Sequence, residues 1–202
     1  MIVIVDYGSG NLASIQNMLK YLEIKNVKIS SNIEELNNAK KIILPGVGAF
    51  DNGMKNLKKL NIIEVLNKKV LVDKIPFLGI CLGMQLMTKG SEEGKLEGLA
   101  WIDAETKKFT VSKDFKVPHM GWNTVRQNKD SSLLSNISNS FRFYFVHSYY
   151  VHCNDSQDVL LSTKYNFDFT SAVEKDNMFG VQFHPEKSHR YGMQLIKNFA
   201  DL

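Results

Sequence analysis

Short apolar runs alternate with segments of helical periodicity through the first half of the chain. Four runs, at residues 2–5, 27–29, 41–44 and 76–80, have the length and composition of buried strands. Between and after them, apolar residues recur at helical spacing; these segments are residues 12–22, 33–36, 51–60, 62–72 and 82–89. Strands that alternate with helices in this way predict parallel βαβ units, with helices on both faces of one sheet.

After about residue 101 the pattern changes to strands rich in β-branched and aromatic residues. They are predicted at residues 102–111, 122–126, 141–146, 148–153, 159–163, 169–175 and 179–183. Short turn-like connections, such as Asn154-Asp155 and Asp176-Asn177, predict antiparallel hairpins added to the first sheet. An amphipathic helix is predicted at residues 190–199. The whole pattern indicates an α/β fold in one domain over residues 1–202, with a mixed, mostly parallel sheet.

Composition and charge narrow the class of protein. Of the 202 residues 44% are hydrophobic and 23% charged, which is typical of a folded globule and excludes a disordered chain. The net charge of +4 comes from scattered lysines and gives no support for nucleic-acid binding. The longest apolar stretch, residues 75–82, is too short to span a membrane, and no leader pattern precedes Asp6. Two cysteines cannot build a disulfide framework, so we expect a cytoplasmic protein.

Cys81 lies where a predicted strand meets a predicted helix, with a glycine two residues before it and another two residues after it. Such glycines allow a tight strand-to-helix turn that holds the central side chain out at the carboxyl end of the sheet, as in a nucleophile elbow. The helix N-terminus also favours a thiolate. An isolated cysteine is usually a buried, inert residue, and Cys153 keeps that interpretation because it lies in an ordinary strand. For Cys81 the context indicates a nucleophile.

A thiol nucleophile needs a base, and the base needs an orienting group. His184 follows a predicted strand, and Glu186 lies two residues further on, on the same side of an extended backbone. The carboxylate is therefore expected to bond the ring, fix its tautomer and stabilise the imidazolium. The sequence therefore predicts a catalytic triad of Cys81, His184 and Glu186.

Two other site types fit the sequence less well. The segment Gly8-Ser9-Gly10 follows a strand and opens a helix, as in a dinucleotide-binding loop, but a nucleotide site explains neither Cys81 nor His184. Cysteine and histidine spacings do not match a zinc site. We therefore expect no cofactor and no metal.

Several motifs carry a resemblance to a known family. GICLGMQ at residues 79–85 and FHPE at 183–186 resemble the class I, or triad, glutamine amidotransferases. Four further motifs resemble the glutaminase subunits (HisH) of imidazole glycerol phosphate synthases, namely DYGSGNL at 6–12, LPGVGAF at 44–50, PHMGWN at 118–123 and FVHSY at 145–149. The resemblance implies a flavodoxin-like α/β amidotransferase domain that hydrolyses L-glutamine to glutamate and ammonia.

The resemblance also implies roles for individual residues. Cys81 is expected to attack the glutamine amide and form a thioester, while His184 moves the protons. Backbone N–H groups of Leu82 and of the loop at Val47 and Gly48 are expected to form the oxyanion hole, completed by a peptide flip when the synthase site is occupied. The amino-acid end of glutamine is expected at the residues that match the family's binding positions: Gly46, Gln85, Glu93, His147, Ser148 and Tyr149.

A partner is expected because free ammonia in water is mostly protonated and is then no nucleophile. In the family the partner is a HisF-like (β/α)8 synthase, which forms a heterodimer and uses the ammonia to make imidazole glycerol phosphate and the ribotide AICAR in histidine biosynthesis. The surface that meets it is expected at Pro118, His119, Met120, Trp122, Asn123 and Tyr144.

The acceptor of the ammonia stays open at this point. Residues 91–106 and 188–193 look more like HisH paralogues that supply ammonia for amidation of cell-surface sugars. Two remoter alternatives are a free-standing thiol hydrolase, such as a γ-glutamyl hydrolase or peptidase, and a non-catalytic flavodoxin-like binding module.

Overall fold

A computed structural model describes residues 1–137 and 141–202, and within them ten strands form one mixed sheet and two form a second. The strands are β1 (Ile2–Val5), β2 (Val27–Ser30), β3 (Lys41–Gly46), β4 (Phe77–Cys81), β5 (Ala104–Lys108), β6 (His119–Thr124), β7 (Arg126–Gln127), β8 (Arg142–His147), β9 (Tyr149–Cys153), β10 (Val159–Tyr165), β11 (Phe167–Lys175) and β12 (Met178–Val181).

The large sheet joins a parallel half to an antiparallel half. Its strand order is β2-β1-β3-β4-β12-β11-β10-β7, with β9 paired to β11 and β5 paired to β9. Strands β1 to β4 are parallel, and β12 continues them because it runs parallel to β4, with Gly180 opposite Gly79. The pairs of β11 with β12, β10 with β11, and β5 with β9 are antiparallel. The predicted mixed α/β sheet is confirmed.

Helices cover both faces of this sheet. They are α1 (Leu12–Tyr21), α2 (Ile33–Asn37), α3 (Phe50–Lys59), α4 (Ile63–Asn67), α5 (Leu82–Leu86) and α6 (His189–Asp201). Alternate residues of β1 enter opposite cores: Val3 and Val5 pack in one hydrophobic cluster, and Ile2 and Ile4 pack in the other. Within the described residues, none of the helices has both the length and the apolar composition needed to cross a membrane.

The second sheet differs from the prediction. The strands after residue 101 were expected to extend the first sheet as hairpins, but within the described residues β6 and β8 pair only with each other, as a separate antiparallel ribbon. The hairpin predicted at Asp176-Asn177 is confirmed by the pairing of β11 with β12, whereas the one predicted at Asn154-Asp155 is wrong, because β9 pairs with β5 and β11 rather than with β10. His119 lies opposite His147, and Trp122 lies opposite Tyr144. This ribbon is attached to the rest of the fold by side chains and by the hydrogen bond from the His184 N–H to the Tyr144 carbonyl, 2.9 Å long.

The helix predicted at residues 82–89 is also shorter in the structure and ends at Leu86. The carbonyl groups at its end bind later residues of the chain: the Leu99 N–H donates to Leu86 O at 2.8 Å, and the Trp101 N–H donates to Met87 O at 2.9 Å. These tertiary hydrogen bonds replace the next helical turn. Residues 87–101 thereby fold back across the end of α5.

Candidate active site

Cys81 occupies a strained turn between β4 and α5. Its φ of 54° and ψ of −108° are unusual for a residue with a side chain, and such strain is typical of a nucleophile elbow. The two flanking glycines allow close packing on both sides. A Cβ at Gly83 would collide with the Leu44 carbonyl oxygen of β3, and one at Gly79 would lie 2.7 Å from the Gly83 backbone. The predicted elbow is thus present, with its side chain 7% exposed.

His184 and Glu186 lie in the turn after β12. The ring Nδ1 of His184 is 2.8 Å from Glu186 Oε1, and both side chains are only 2% exposed. Burial alone lowers the pKa of His184, but the nearby Cys81 sulfur and the hydrogen bond with Glu186 outweigh it and raise the pKa to about 9. The ring therefore carries a proton at neutral pH. Its other nitrogen, Nε2, is buried and has no hydrogen-bond partner within the described residues.

A cavity of about 540 Å³ opens at the Cys81 and His184 side chains. Most of the residues predicted to hold glutamine line it, and they are Gln85, Glu93, His147, Ser148 and Tyr149. Gly46, predicted with them, does not line the cavity; it is the last residue of β3 and lies opposite Cys81 in the sheet. The sequence prediction therefore selects residues that the fold brings together.

The side chains along this wall are already partly engaged. Glu93 accepts the Phe50 N–H at 2.8 Å, at the first residue of α3. The ring of His147 is buried and bonds the Tyr149 carbonyl and the ring of His119, at 2.7 and 2.9 Å. His147 therefore meets the cavity as part of its wall, because both of its ring nitrogens are occupied.

The loop predicted to complete the oxyanion hole is held by Ser9. The Ser9 hydroxyl accepts the Val47 N–H at 2.9 Å and donates to the Val47 carbonyl at 2.6 Å. The next residue, Gly48, has a φ of +99°, and apart from its two chain neighbours none of the described residues has an atom within 4 Å of where its Cβ would be. Leu82 is the first residue of α5, so its N–H is not needed by the helix. In this structure Val47 therefore does not offer its N–H to the cavity.

The predicted partner surface divides into an outer and an inner face of the β6–β8 ribbon. Met120 and Trp122 are 62% and 42% exposed. The indole of Trp122 stacks on His189 at 5.5 Å between ring centroids, and the Arg142 guanidinium lies 5.6 Å from the indole centroid. Tyr144, opposite Trp122, is half-buried.

Three of the predicted interface residues do not simply face outward. His119 is only 3% exposed, because its ring bonds His147 inside the molecule; placing its side chain on the surface is therefore a correction to the sequence analysis. Pro118 is exposed and also lines the cavity at Cys81. Asn123 is half-buried and donates to the Lys164 carbonyl at 3.1 Å.

Sequence reasoning missed two residues that contact the site. Gln182, fully buried, donates its side-chain amide to the Cys81 sulfur at 3.6 Å, and Ser9 bonds Val47 as described above. A signal for Gln182 was available, since it precedes His184 by two residues and so shares its side of an extended segment. Ser9 gave no such signal, because its partner is 38 residues away.

Comparison with known proteins identifies the family. The model of the family described as glutamine amidotransferase class-I matches residues 3–202. The chain belongs to the class-I glutamine amidotransferases. This amidotransferase is 55% identical over 199 residues to "Imidazole glycerol phosphate synthase subunit HisH 2" of Methanococcus maripaludis, with 98% of each chain covered. It is 52% identical to the protein of the same name from Pseudomonas aeruginosa, with 100% of each covered.

Solved structures agree on the fold of the amidotransferase. A protein from Thermoplasma acidophilum, described as part of a putative GMP synthase, superposes with a TM-score of 0.73 at 19% identity, covering 99% of this chain and 92% of the other. A second structure, described as a glutamine amidotransferase, gives the same TM-score and identity over 98% and 100% of the two chains. At this level of identity the comparison establishes the fold alone.

Proposed function

We propose that this amidotransferase is a glutaminase subunit that hydrolyses L-glutamine to glutamate and ammonia and passes the ammonia to a HisF-like (β/α)8 synthase. In histidine biosynthesis the synthase forms imidazole glycerol phosphate and AICAR. The observation that carries the proposal is that the strained Cys81 and His184, whose buried ring bonds Glu186, line one cavity. Relatives at 55% and 52% identity that bear the HisH name support the choice of pathway.

The chemistry follows from the charges at the site. The Cys81 thiolate attacks the side-chain carbonyl carbon of glutamine, and the carbonyl oxygen takes up the negative charge. The proton held by His184 moves to the amide nitrogen, the C–N bond breaks, and ammonia leaves a glutamyl thioester. Neutral His184 then removes a proton from water, which attacks the thioester and releases glutamate and the thiolate. Glu186 stabilises the protonated ring in each cycle.

The oxyanion must find donors as the carbonyl oxygen becomes charged. Leu82 supplies an N–H at the start of α5, where the helix dipole also favours negative charge. A second donor requires the loop at Val47 and Gly48 to turn, because Ser9 holds the Val47 N–H. A partner that shifts this loop would therefore switch the glutaminase on when the ammonia can be used.

Ammonia release in the presence and absence of a HisF-like partner tests the function. We expect the wild-type chain to release ammonia from glutamine rapidly with the partner, and Cys81→Ala to lose this activity. Cys153→Ala is the matched control, because Cys153 is the second free cysteine and lies in β9. Ammonia release by Cys81→Ala at the wild-type rate would exclude the proposed mechanism.

One observation favours a second candidate function, the supply of ammonia for amidation of a cell-surface sugar. Methanococcus maripaludis has two proteins named HisH; this chain is 55% identical to the one numbered 2 and 44% identical to the one numbered 1. A paralogue that supplies ammonia to an acceptor outside histidine biosynthesis is expected to be more similar to one of two such proteins than to the other. Growth of a histidine auxotroph that lacks its own glutaminase subunit distinguishes the two: rescue supports the histidine role, and failure by a soluble, active chain supports the sugar role.

We also propose that residues 1–202 act as one amidotransferase domain in the cytoplasm. Both halves of the chain contribute strands to the large sheet, and its two hydrophobic cores each draw residues from both halves. Cys81 and Cys153 are both free thiols, as a reducing compartment allows. A single cooperative unfolding transition, followed by two spectroscopic probes, is the expected result for one domain.

A further inference from the structure

A buried chain of hydrogen bonds leads from a backbone carbonyl to the Cys81 sulfur. The chain begins at the carbonyl oxygen of Tyr149, which can accept hydrogen bonds but cannot donate them. The side-chain Nε2 of Gln85 lies 3.3 Å from this oxygen and must donate to it. The carbonyl also accepts from His147 Nδ1 at 2.7 Å, so it is held from a second side. The orientation of the Gln85 amide follows from these contacts.

The orientation of a second amide follows from the first. The same Nε2 of Gln85 lies 3.0 Å from Gln182 Oε1, so Gln182 presents its oxygen to Gln85. The amide nitrogen of Gln182 then points the other way, and it lies 3.6 Å from Cys81 Sγ. This length is appropriate for an N–H···S contact, because sulfur is larger than oxygen. Gln182 is therefore a donor to the nucleophile.

Burial makes this arrangement rigid. Gln182 is fully buried and Gln85 is 5% exposed. Turning the Gln182 amide over would oppose two amino groups at Gln85 and leave a buried oxygen against the sulfur, which is costly away from water. The backbone supports the same position, because the Gln182 N–H donates to the Ser171 carbonyl of β11 at 2.9 Å.

Within the described residues, Gln182 hydrogen-bonds the sulfur, and Cys81 affects the pKa of two other polar side chains, Tyr7 and His184. Burial, and to a smaller extent the charge of Cys81, raises the pKa of the Tyr7 phenol, and the His184 ring gains and loses a proton during the reaction. The Gln182 amide does neither, since a carboxamide keeps both of its N–H groups at every pH where the protein is folded. It is a permanent donor to the sulfur and takes no part in the proton transfers.

We propose that Gln182 is a further catalytic residue of this amidotransferase, and that its buried side-chain amide donates a hydrogen bond to Cys81 Sγ that favours the thiolate and fixes the sulfur's position. The inference rests on the proposed function, because it assigns Gln182 to the glutaminase reaction of the same cysteine. Its position two residues before His184 places Gln182 on the same side of the segment, but the contact with the sulfur joins residues 101 apart and is seen only in the structure.

Alkylation of Cys81 by iodoacetamide as a function of pH tests the donor without needing the partner. The measurement uses the full chain with Cys153→Ala, so that one thiol reacts. Gln182→Met keeps the length of the side chain and removes the donor. We expect the pH midpoint of the alkylation profile to rise by about one unit or more, the tenfold or larger effect of one hydrogen bond to a charged group. Gln182→Glu, of nearly equal size, places a carboxylate beside the sulfur and should raise the midpoint further.

Asn198→Leu is the control for loss of a buried amide. Asn198 donates to the Leu133 and Ser135 carbonyls in the core and lies outside the site, so its loss should lower stability and leave the alkylation midpoint unchanged. Should Gln182→Met not fold, Gln182→Glu carries the test by itself. An unchanged midpoint in either folded Gln182 variant overturns the inference.

Ammonia release by the wild-type chain with its partner is measured in parallel. Wild-type activity together with an unchanged midpoint in the variants overturns the role of Gln182 and leaves the proposed function standing. Absence of wild-type glutaminase activity overturns both. Wild-type activity, a raised midpoint and at least a tenfold loss of kcat in Gln182→Met support the inference.

Discussion

The hydroxyl of Ser9 closes two hydrogen bonds on one residue, Val47: it accepts from the Val47 N–H at 2.9 Å and donates to the Val47 carbonyl at 2.6 Å. A single side chain thus holds both backbone polar groups of Val47, in the loop that borders the cavity at Cys81. Gly48, directly after Val47, has the backbone freedom for a peptide flip, and Ser9 opposes that flip. Ser9, which is 38 residues away from Val47 in the sequence, therefore fixes the position of the loop in this structure.

Replacing Ser9 should release this loop. In Ser9→Ala both hydrogen bonds are lost, and each is typically worth about 1 kcal/mol. We expect the glutaminase rate without the partner to rise about tenfold, while the rate with the partner changes little. Ammonia release measured in both states checks this, with Ser14→Ala in α1 as the control. A lower or unchanged partner-free rate would contradict a restraining role for Ser9.

The pKa of His184 predicts the alkaline limit of the reaction. Burial lowers this pKa, but Cys81 and Glu186 together raise it to about 9, so the ring holds its proton up to that pH and loses it above. Since this proton goes to the leaving ammonia, kcat/KM of the partnered enzyme should fall above about pH 9. In Glu186→Gln the pH above which kcat/KM falls should be lower by about one unit or more, because one of the two groups that raise the pKa of His184 is gone. Glu97→Gln, a change on the surface, should keep the wild-type profile.

The exposed indole of Trp122 predicts where the partner binds. Aromatic residues that rest on other side chains and remain exposed are frequent anchors of interfaces. Trp122→Ala should weaken binding of a HisF-like partner at least about tenfold, as measured by calorimetry, and leave the stability of the free chain nearly unchanged. Tyr21→Ala serves as the control, since Tyr21 is 75% exposed at the end of α1. Equal loss of affinity in both variants would argue against a specific anchor.

Alanine substitutions at Gly83 and Gly48 distinguish the cost of a steric collision from the cost of backbone strain. In Gly83→Ala the new methyl group collides with the Leu44 carbonyl, a backbone atom that cannot move alone, so we expect a loss of stability of about 3 kcal/mol or more. In Gly48→Ala the methyl group meets open space and only the positive φ is unfavourable, at about 1–2 kcal/mol. Urea unfolding measures both. Similar losses in the two variants would show that the packing of α5 on β3 is looser than the structure has it.

Much of the architecture follows from local patterns. The apolar runs of β1, β3 and β4 are recognisable because strands buried on both faces need no polar alternation. The elbow at Cys81 is recognisable from its two flanking glycines, which the structure requires because each lies in close contact with neighbouring backbone. In both cases one short segment contains the whole signal.

Other features depend on residues distant in sequence and could not be predicted in this way. The early end of α5 is caused by Leu99 and Trp101, whose N–H groups bind the carbonyls that a longer helix would use. The separation of the β6–β8 ribbon from the large sheet is not visible in strand propensities, which do not specify a pairing partner. The contact of Gln182 with Cys81 likewise exists only after β4 and β12 have become neighbours.

The two faces of strand β6 have different surroundings. Met120 and Trp122 face outward, while the alternate residues His119 and Asn123 turn inward and continue through His147 to the Tyr149 carbonyl at the cavity. Under the proposed function, this ribbon lies between the surface that binds the partner and the cavity that binds glutamine. A shift of the ribbon on partner binding would also move the cavity wall at His147, because His119 in β6 bonds that ring. Partner binding and glutamine binding would then be coupled through one structural element.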